Sequence, residues 1–458
     1  MRLTYRFTQQ TCEVHTSVVD VPAGSDIHIT LLNGPFEHFF LLVKDPTKRL
    51  RALFTWKSRI QHYCLRQAIS DEANLTVPGP IAGGEWQFTV VKPGKLLGEA
   101  AIDINCVPGA VTGSGKPQID VLNQPFARVV NPQHRWYHGD LHAHTLYSDG
   151  RVALDDVLHI AEQRQMDFLA ITDHSIVTTH VADCRPLIIP ATELTFDNEL
   201  HYNVFGINQL IDYSQYCEDG IHVTDFISRL HTDLAQAGNV LSINHPFAEG
   251  ISLGHEFDLR SVHLLEVINA PHLADHPIDN EKAIRFFDFL WSKGLRILAS
   301  GGSDAHKPGV QGGYPLGQPR VSIYCEGLSL DALLQGLRSG RTLISYNVTC
   351  VLNMLHHGAP VFPGDQVSGP VTFQAECTER PLAWRMIRNG ECIHELYGQS
   401  YDYTVVPGAA DVFRLEAREG ERTVFFANPV YSALPAAREY RFSTLLQDFL
   451  AQDSVRAR

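Results

Sequence analysis

The feature that most constrains the fold is a regular alternation of apolar runs and amphipathic segments that begins after Trp136. The apolar runs have the length of buried strands, and several of the segments between them have helical periodicity. Predicted strands span residues 168–172, 187–190, 202–207, 240–244, 264–268 and 295–299, and predicted helices span 154–165, 223–237, 280–293 and 330–339. This alternation favours an α/β region with parallel strands, built either as a barrel or as a doubly wound sheet.

Local signals indicate where the last of these helices begins and ends. Ser329 precedes it, and a serine at this position accepts a hydrogen bond from an N–H group of the first turn. Gly340 follows it and can adopt the left-handed conformation that ends many helices. The helix is therefore expected to span the ten residues between them.

Both flanking regions contain short apolar runs separated by turns rich in Pro and Gly, a pattern typical of β-sandwiches. The sequence thus predicts three domains. An N-terminal β-sandwich domain covers residues 1–130, the α/β domain covers 131–348, and a small β-domain covers 349–458 and ends in a short helix near 443–452.

His142 and His144 lie in the segment G-D-L-H-A-H-T-L-Y-S-D-G, which opens the α/β region. Because they are two residues apart, both imidazoles would project from the same face of a strand. The pair alone is weak evidence for a metal site. With 23 histidines in 458 residues, about one such pair arises by chance.

Stronger evidence is that His, Asp and Glu residues recur at the ends of successive predicted strands. In parallel α/β architectures the carboxyl ends of the strands meet on one face, where active sites are built. Asp149 also has a simpler interpretation, as a turn residue before Gly150. The candidate metal ligands are His142, His144, Asp149, His174, Glu193, His201, His245, Asp304 and His306.

Nine ligand-type residues exceed the three or four that one ion needs, so the set suits two or three divalent metal ions. Imidazole and carboxylate ligands without thiolate suit Zn, Mn or Fe. In a site with two or more such ions, a bridging hydroxide could act as the nucleophile. The excess positive charge would favour an anionic small-molecule substrate or an oxyanionic intermediate.

The motifs H-x-H-T-x-x-S-D-G, I-T-D-H, N-H-P and G-S-D-A-H, in this order, resemble the PHP (polymerase and histidinol phosphatase) superfamily over about residues 136–345. The resemblance implies an α/β fold, a distorted (β/α)7 barrel of PHP type, flanked here by N-terminal and C-terminal β-sandwich-like domains. It also implies a trinuclear site. His142, His144, Glu193 and Asp304 would hold one ion, Glu193 would bridge to a second ion bound by His201 and His245, and the third would be held by Asp149, His174 and His306.

Further segments are similar to the carbaryl-hydrolase-like branch of that superfamily. They are E-V-I-N at residues 266–269, a Trp-containing helix at 280–294 and L-R-S-G-R-T-L-I-S at 337–345. Members of this branch also have an upstream β-domain. The similarity of these segments is less specific than that of the metal-ligand motifs.

Other residues near these motifs are candidates for catalysis and substrate binding. Asp173 would orient a ligand imidazole, and His180 is a candidate acid for the leaving group, although an exposed loop position would explain it equally well. Lys307, Arg320 and Asn269 are candidates for substrate binding. Ordinary surface or salt-bridge roles are equally open for the lysine and the arginine, and Glu266 could line the pocket or pair with a buried base.

Three functions remain compatible with the sequence. The leading one is a metal-dependent hydrolase, most of all a phosphoesterase acting on a small phosphomonoester or phosphodiester. The second is a hydrolase of carboxylic esters, carbamates or amides. The third is a non-catalytic carbohydrate-binding protein with a structural metal site.

Composition excludes several other classes. The formal charge of −14 disfavours binding to nucleic acid, which needs basic residues to displace counterions. No apolar run approaches the length of a membrane span, so a soluble, cytoplasmic protein without membrane partners is expected. Nine cysteines without a C-x-x-C pair argue against disulfides and against a cysteine-based zinc site.

Overall fold

The structure is a computed structural model that describes residues 1–32, 39–68, 74–109, 118–196, 199, 201–254, 256–271, 278–309, 313 and 315–456. Within these ranges the chain is a mixed α/β protein with large sheets. No helix in the described ranges is long and apolar enough to cross a membrane.

The described residues form 28 strands, five α-helices and two short 3₁₀ helices, Tyr213–Gln215 and Leu259–Ser261. The strands are β1 Arg2–Phe7, β2 Glu13–Val21, β3 Ser25–Leu32, β4 Phe40–Lys44, β5 Leu50–Thr55, β6 His62–Leu65, β7 Gly84–Lys92, β8 Gly98–Pro108, β9 Gln118–Asp120, β10 Asn131–Asp140, β11 Phe168–Ile171, β12 His180–Ala182, β13 Leu187–Leu194, β14 Tyr202–Phe205, β15 Val240–Ile243, β16 Leu264–Asn269, β17 Leu298–Gly302, β18 Arg320–Leu328, β19 Thr342–Ser345, β20 Cys350–His356, β21 Ala359–Val361, β22 Val371–Cys377, β23 Leu382–Arg388, β24 Glu391–Gly398, β25 Ser400–Val405, β26 Val412–Glu419, β27 Arg422–Ala427 and β28 Val430–Tyr431. The α-helices are α1 Leu154–Gln163, α2 Val223–Gln236, α3 Asn280–Ser292, α4 Leu330–Ser339 and α5 Phe442–Arg456.

The N-terminal strands form two four-stranded antiparallel sheets, in the orders β1-β8-β3-β6 and β2-β7-β4-β5. From Ile27 onward, residues of β3 alternate between buried and partly exposed, as expected for a strand with one covered face, whereas β4 and β5 are buried almost throughout. Phe54 in β5 stacks on Tyr63 in β6, with ring centroids 4.0 Å apart, so the two sheets contact each other through their aromatic side chains. Their classification as a β-sandwich domain remains a prediction.

The large sheet has the order β17-β16-β15-β14-β13-β11-β10-β18-β19-β27-β26-β23-β24, with β28 beside β26. Strands β10, β11 and β13 are parallel to one another, and so are β15, β16 and β17. All predicted strands and helices of the α/β region are present, with ends that differ by a few residues. Strands β10, β12, β18 and β19 were not predicted.

The expectation of parallel strands throughout this region is wrong for β14, which runs antiparallel to both of its neighbours, β13 and β15. Only residues 195–201 connect β13 to β14, and a parallel crossover needs a dozen residues or more. Strand β18 is likewise antiparallel to β10. The sheet is therefore mixed.

Beyond their last strand residues, β10 and β17 continue side by side. Ala143 and Ala305 form a parallel bridge, and the amide of Asp304 donates a hydrogen bond to the carbonyl of His142 at 2.9 Å. The buried carboxylate of Asp140 accepts hydrogen bonds from the amides of His142 and Ser303, both at 3.1 Å. These contacts fix the two segments that carry the H-x-H and D-A-H motifs next to each other.

The predicted ends of helix α4 are confirmed. The side chain of Ser329 accepts a hydrogen bond from the amide of Ala332 at 3.1 Å, and Gly340 has a φ of +85° in the left-handed region. The predicted C-terminal helix is also present, as α5, although it is longer than residues 443–452.

The strands that follow residue 349 divide between two sheets. Strands β20, β21, β22 and β25 form a separate four-stranded sheet, while β23, β24, β26 and β27 extend the large sheet through the pairing of β27 with β19. One apolar core, which includes Phe373, Trp384 and Phe425, lies between these strands. The predicted domain boundary at residue 348 therefore falls within a region where the hydrogen-bonded sheet is continuous.

Candidate metal centre

The nine ligand-type residues expected from the sequence converge in one buried cluster, which we call the metal centre. They form four overlapping groups whose ligand atoms lie within 4.8 Å of one another. The groups are His142, His144 and Asp304; His142, Glu193 and His245; His174, Glu193 and His201; and His144, Asp149, His174 and His306. Because the groups share members, the centre has the form expected for several ions close together.

Glu193 lies at the middle of the centre. It belongs to β13, so it is a strand residue and does not follow the strand as the sequence suggested. One carboxylate oxygen, Oε1, is 3.1 Å from Nδ1 of His201 and 3.3 Å from Nε2 of His245, and the other, Oε2, is 3.4 Å from Nε2 of His144. A carboxylate with ligand-type neighbours on both oxygens is suited to bridging two ions.

His142 and His144 lie just after β10, where their imidazoles face Asp304. The Asp304 Oδ1 atom is 3.4 Å from Nε2 of His142 and 3.0 Å from Nε2 of His144. Both imidazoles are fully buried. Together with Glu193, these residues form the group expected to hold the first ion.

Asp149, His174 and His306 form the remaining group. The two oxygens of Asp149 lie 3.3 Å from Nε2 of His174 and 3.2 Å from Nε2 of His306. The side chains of Asp149 and His306 are 22% and 27% exposed, more than any other member of the centre. The centre is therefore most exposed to solvent on this side, which we call the open side.

Several ligand atoms of the centre are buried and have no hydrogen-bond partner among the described residues. They are Nε2 of His142, His144 and His201, Nδ1 of His245, and the Oδ1 atoms of Asp149 and Asp304. A buried polar atom without a partner costs about 1–3 kcal/mol. Divalent ions would satisfy the four of these atoms that belong to His142, His144, Asp149 and Asp304, so the donor set fits metal binding.

The electrostatics of two carboxylates and two imidazoles suit ligation directly. Burial opposes ionisation of Glu193 and Asp304, yet the neighbouring imidazoles hold the pKa of both carboxyl groups well below its usual range. Burial lowers the pKa of His174 to about 3 and that of His201 to about 4. At neutral pH the carboxylates are therefore ionised and these two imidazoles have lone pairs for a metal. At His142, His245 and His306 burial opposes protonation, but neighbouring carboxylates raise the pKa, so a bound ion would displace a proton from each of these three.

Glu266 orients His142 from the side away from the other ligands. Its Oε1 atom is 3.1 Å from Nδ1 of His142. Its Oε2 atom accepts hydrogen bonds from the backbone amide of His245 at 3.0 Å and from the side chain of Asn269 at 2.8 Å. The carboxylate thus fixes the Nδ1–H tautomer of His142 and directs Nε2 into the centre. A signal for Glu266 existed in the sequence, since it is the one charged residue of a fully buried strand, β16.

Hydroxyl and amide groups position the other ligands. Thr195 Oγ1 lies 2.7 Å from Nδ1 of His174, and the side-chain amide of Asn244 donates to Glu193 at 2.9 Å. Ser148 Oγ is 3.4 Å from Nδ1 of His144 and donates to Asp173 at 2.6 Å. The carboxylate of Asp173 is therefore linked to a ligand imidazole through the hydroxyl of Ser148.

Backbone conformation at the centre is unusual. Asp304 and His245 have φ values of +52° and +23°, in a region that side chains other than glycine adopt rarely. At Gly302 a Cβ atom would lie 2.3 Å from Cβ of His142, so only glycine allows these segments to approach so closely. Strained residues of this kind concentrate at functional sites.

Of the remaining candidates, Asn269 contacts the metal centre and His180 does not. Asn269 is buried, and its Nδ2 atom lies 3.4 Å from Nδ1 of His142, so it contacts the centre. His180 is buried in β12, with Nδ1 3.0 Å from Thr179 Oγ1 and Nε2 3.8 Å from Asp120. It is not an exposed loop residue, and its described contacts do not include a member of the metal centre.

Lys307 and Arg320 are both half-buried. Arg320 begins β18, and its positive charge adds to burial in lowering the pKa of His138 to about 4, so it lies beside that imidazole. Among the described contacts, neither cation pairs with a carboxylate of the centre.

Lys57 and Arg59, from the N-terminal region, also reach the centre, and sequence reasoning missed both. Lys57 Nζ is 3.9 Å from Oδ2 of Asp149, and the guanidinium of Arg59 donates to the carbonyl of Asp149 at 3.0 Å. About 90 residues separate them from Asp149, and neither belongs to a recognisable motif.

Comparison with known proteins adds little to this geometry. No family model matches the sequence, and no curated protein matches it. Among solved structures, the chain is similar to a two-domain protein from Bacteroides vulgatus that contains a predicted PHP-like metal-dependent phosphoesterase. The similarity covers 67% of this chain and 99% of that one, with 14% identity and a TM-score of 0.35, values too low to show a common fold.

Proposed function

We propose that this chain is a metal-dependent phosphoesterase of the PHP superfamily that hydrolyses a small phosphomonoester or phosphodiester. The observation that carries the proposal is the convergence of nine His, Asp and Glu side chains on one buried centre with Glu193 in its middle. A closed structural site would need only four ligands. Nine ligands with an open side support a catalytic centre instead.

The residues of the centre divide among three ions as follows. His142, His144, Glu193 and Asp304 would hold the first, Glu193 would be shared with a second bound by His201 and His245, and Asp149, His174 and His306 would hold the third. When bound, divalent ions supply Lewis acidity and a nucleophile at neutral pH. The three carboxylates contribute a charge of about −3 against +6 from three divalent ions, so the loaded centre attracts anions.

Other residues of the chain orient the ligands and exclude water from the centre. Glu266 holds the imidazole of His142 in one tautomer, and Thr195 is placed to do the same for His174. The buried surroundings exclude bulk water from the inner ligands, which strengthens their electrostatic interaction with a charged substrate. Asp149 and His306 mark the side from which the substrate enters.

The proposed fold is the distorted (β/α)7 barrel. Seven strands (β10, β11 and β13–β17) are consecutive neighbours in the large sheet, and the bridge between Ala143 and Ala305 lies between the first and the last of them. The bridge brings the ends of β10 and β17 together, which supports a barrel with the metal centre at that end, while the other edge of β10 pairs with β18. The flanking regions, 1–130 and 349–458, would then be β-domains beside the barrel, the second joined to the large sheet through the pairing of β19 with β27.

A substrate panel tests the proposal. The full-length protein, loaded with Mn²⁺ or Zn²⁺, is assayed with aryl phosphomonoesters, aryl phosphodiesters and naphthyl carboxylic esters. The proposal expects turnover of a phosphoester that a chelator abolishes and that the H142A/H144A variant lacks. Turnover of naphthyl esters without any phosphoester hydrolysis would contradict it and favour an ester or carbamate hydrolase.

A further inference from the structure

A loop of the N-terminal region is attached to the segment that carries Asp149. The loop comprises residues 56–61, between β5 and β6, and we call it the docking loop. The amide of Arg59 donates to the carbonyls of Leu146 and Ser148 at 3.1 and 3.0 Å, and the hydroxyl of Ser58 donates to Leu146 at 3.2 Å. Arg59 also donates through its side chain to Asp149. These bonds fix the docking loop against the metal centre.

The docking loop places the ammonium group of Lys57 at the open side of the centre. The side chain is only 13% exposed, and its Nζ atom is 3.9 Å from Oδ2 of Asp149, the one carboxylate within 4 Å in the described part of the chain. Its charge also acts on two further ligands. Burial is the main cause of the low pKa values of His174 and His201, and the charge of Lys57 lowers both in the same direction.

A distance of 3.9 Å is too long for a hydrogen bond, so Asp149 does not occupy the donors of the ammonium group. A lysine ammonium carries three donors and binds phosphate oxygens as a point charge. Lys57 also lies where an anion would enter, because Asp149 and His306 are the most exposed ligands. The metal-loaded centre would itself be cationic and would repel the ammonium group of Lys57. An anion bound between them would turn this repulsion into attraction.

We propose that Lys57 binds an anionic oxygen of the substrate at the open side of the metal centre. The proposal rests on the phosphoesterase function proposed above, and phosphate is the class of ligand that it specifies. It makes the N-terminal region part of the active site, not a separate carbohydrate-binding module. Lys57 is a substrate-binding and positioning residue, and it holds no ion.

The test measures binding of inorganic phosphate to the Mn²⁺-loaded full-length protein by calorimetry, together with metal content. The variant is Lys57→Met, which keeps the length of the side chain and removes its charge. The matched control is Lys95→Met, which removes a lysine of the same region that pairs with Glu199. We expect at least a tenfold rise in the Kd for phosphate and in KM for Lys57→Met, with unchanged metal content, and no change for the control.

Two results would overturn the assignment. In the first, the Lys57→Met variant binds phosphate as tightly as the wild type; in the second, the variant loses bound metal together with phosphate binding. The second would make Lys57 a residue that stabilises the ligands. Failure of the proposed function is distinguishable, because the wild-type protein would then hydrolyse no phosphoester whatever the variant does. Lys57→Arg, which keeps the charge, should retain most of the phosphate binding.

A different observation carries a second inference, in the N-terminal region. Asp26 and His28 lie on one face of β3, and Cys64 in β6 is the register partner of His28. Ligand atoms of all three lie within 4.8 Å of one another, with Cys64 Sγ 3.8 Å from Nε2 of His28. The sequence argued against a thiolate metal site because it has no C-x-x-C pair. Here the pairing of β3 with β6 brings together residues that no short motif joins.

A chain of hydrogen bonds links His28 to Thr30 through His62. Thr30 Oγ1 is 3.0 Å from Nδ1 of His62, and Nε2 of His62 is 3.3 Å from Nδ1 of His28. If Nδ1–H of His62 donates to the threonine, its Nε2 accepts from Nδ1–H of His28. The Nε2 lone pair of His28 then faces Cys64, in the arrangement that metal-binding histidines usually have.

We infer that Asp26, His28 and Cys64 bind a divalent ion such as Zn²⁺ through carboxylate, imidazole and thiolate groups. Arg66 Nε lies 3.2 Å from Oδ2 of Asp26, so this carboxylate also has a cationic neighbour. The site is distinct from the metal centre, whose nine ligand-type residues include no cysteine.

Cobalt substitution tests this second site, because only a thiolate ligand gives Co²⁺ an intense near-ultraviolet charge-transfer band. We expect the Co²⁺-loaded wild type and the H142A/H144A variant to show the band, and Cys64→Ser and His28→Ala to lack it and to bind one ion fewer. Cys184→Ser, at a half-buried cysteine elsewhere, is the control and should keep the band. No band in the wild type, or a band that persists in Cys64→Ser, would overturn the inference.

Discussion

The Oε1 atom of Glu266 lies 3.1 Å from Nδ1 of His142, and both side chains are almost completely buried. This contact directs the opposite nitrogen of His142 toward Asp304 and Glu193, each 3.4 Å away. The orientation of a central ligand therefore depends on a carboxylate that holds no ion itself.

Replacing Glu266 with Gln keeps the volume of the side chain but removes the negative charge that supports the Nδ1–H tautomer of His142. Loss of such a partner typically weakens metal affinity or activity by about 10–100-fold. We expect a weakening in this range for Glu266→Gln, measured by titration against a chelating competitor. Glu326→Gln, at an exposed position of β18, is the control; equal affinities for the two variants would contradict the prediction.

Glu193 and Asp149 should differ in how many ions depend on them. Glu193 contacts imidazoles of two ion groups, whereas Asp149 belongs to one. Glu193→Gln should therefore reduce the number of bound ions by more than one, and Asp149→Asn by one. Metal analysis of the purified variants after dialysis measures both numbers, and identical metal contents would show that Glu193 does not bridge.

His138 should make the protein less stable in acid. Burial and the charge of Arg320 lower its pKa to about 4, whereas an unfolded histidine has a pKa of about 6.5. Between these pH values the unfolded chain binds more protons than the folded chain, so stability falls as the pH falls through this window. The loss is about 3 kcal/mol at most.

The measurement is the free energy of unfolding of the metal-free protein in denaturant, at about pH 7 and at about pH 4.5. These two values enclose most of the range between the folded and unfolded pKa of His138. His138→Asn can keep the contact with Ser322 Oγ, which lies 2.8 Å from Nδ1, and it does not titrate. The variant should lose less stability than the wild type between the two pH values. Equal losses would mean that other groups account for the acid sensitivity.

A buried ion pair should stabilise the packing of α3 against β26. The guanidinium of Arg414 is 4% exposed and donates to both oxygens of Asp288, at 2.8 and 2.7 Å. Removing one partner of a buried pair costs about 3–5 kcal/mol, because the other charge stays buried. Since Arg414 also pairs with Glu416, we expect Asp288→Asn to lose about 3 kcal/mol in denaturant unfolding.

Arg2→Gln serves as the comparison, since it removes an ion pair with Asp103 that is largely exposed. Exposed pairs contribute little, so this variant should unfold at nearly the wild-type denaturant concentration. Similar losses for the two variants would contradict the assignment of stability to the buried pair.

Sequence patterns predicted most strands and all helices of the α/β region, together with the ligand types, because these depend on local order. The alternation after Trp136 located every predicted strand of the α/β region, and recurring His, Asp and Glu residues marked the nine side chains that converge. Strand direction was less accessible. The short connection before β14 forces an antiparallel pairing, and hydrophobic periodicity does not report direction.

Contacts between distant segments could not be predicted at all. Lys57 reaches Asp149 because backbone hydrogen bonds attach the docking loop to residues 146–148, and those bonds involve groups that every residue has. Cys64 meets His28 because β3 and β6 pair in one particular register. Neither relationship leaves a trace in the spacing of residues along the chain.

The pairing of β19 with β27 has a consequence for any shortened form of the protein. All four residues of β19 are buried, and the strand is hydrogen-bonded on one side to β18 and on the other to β27. A chain cut after residue 348 would expose the second side as an apolar, unpaired edge, and such edges recruit strands from other molecules. The truncated protein should therefore aggregate, and the C-terminal strands protect the rest of the chain by covering that edge.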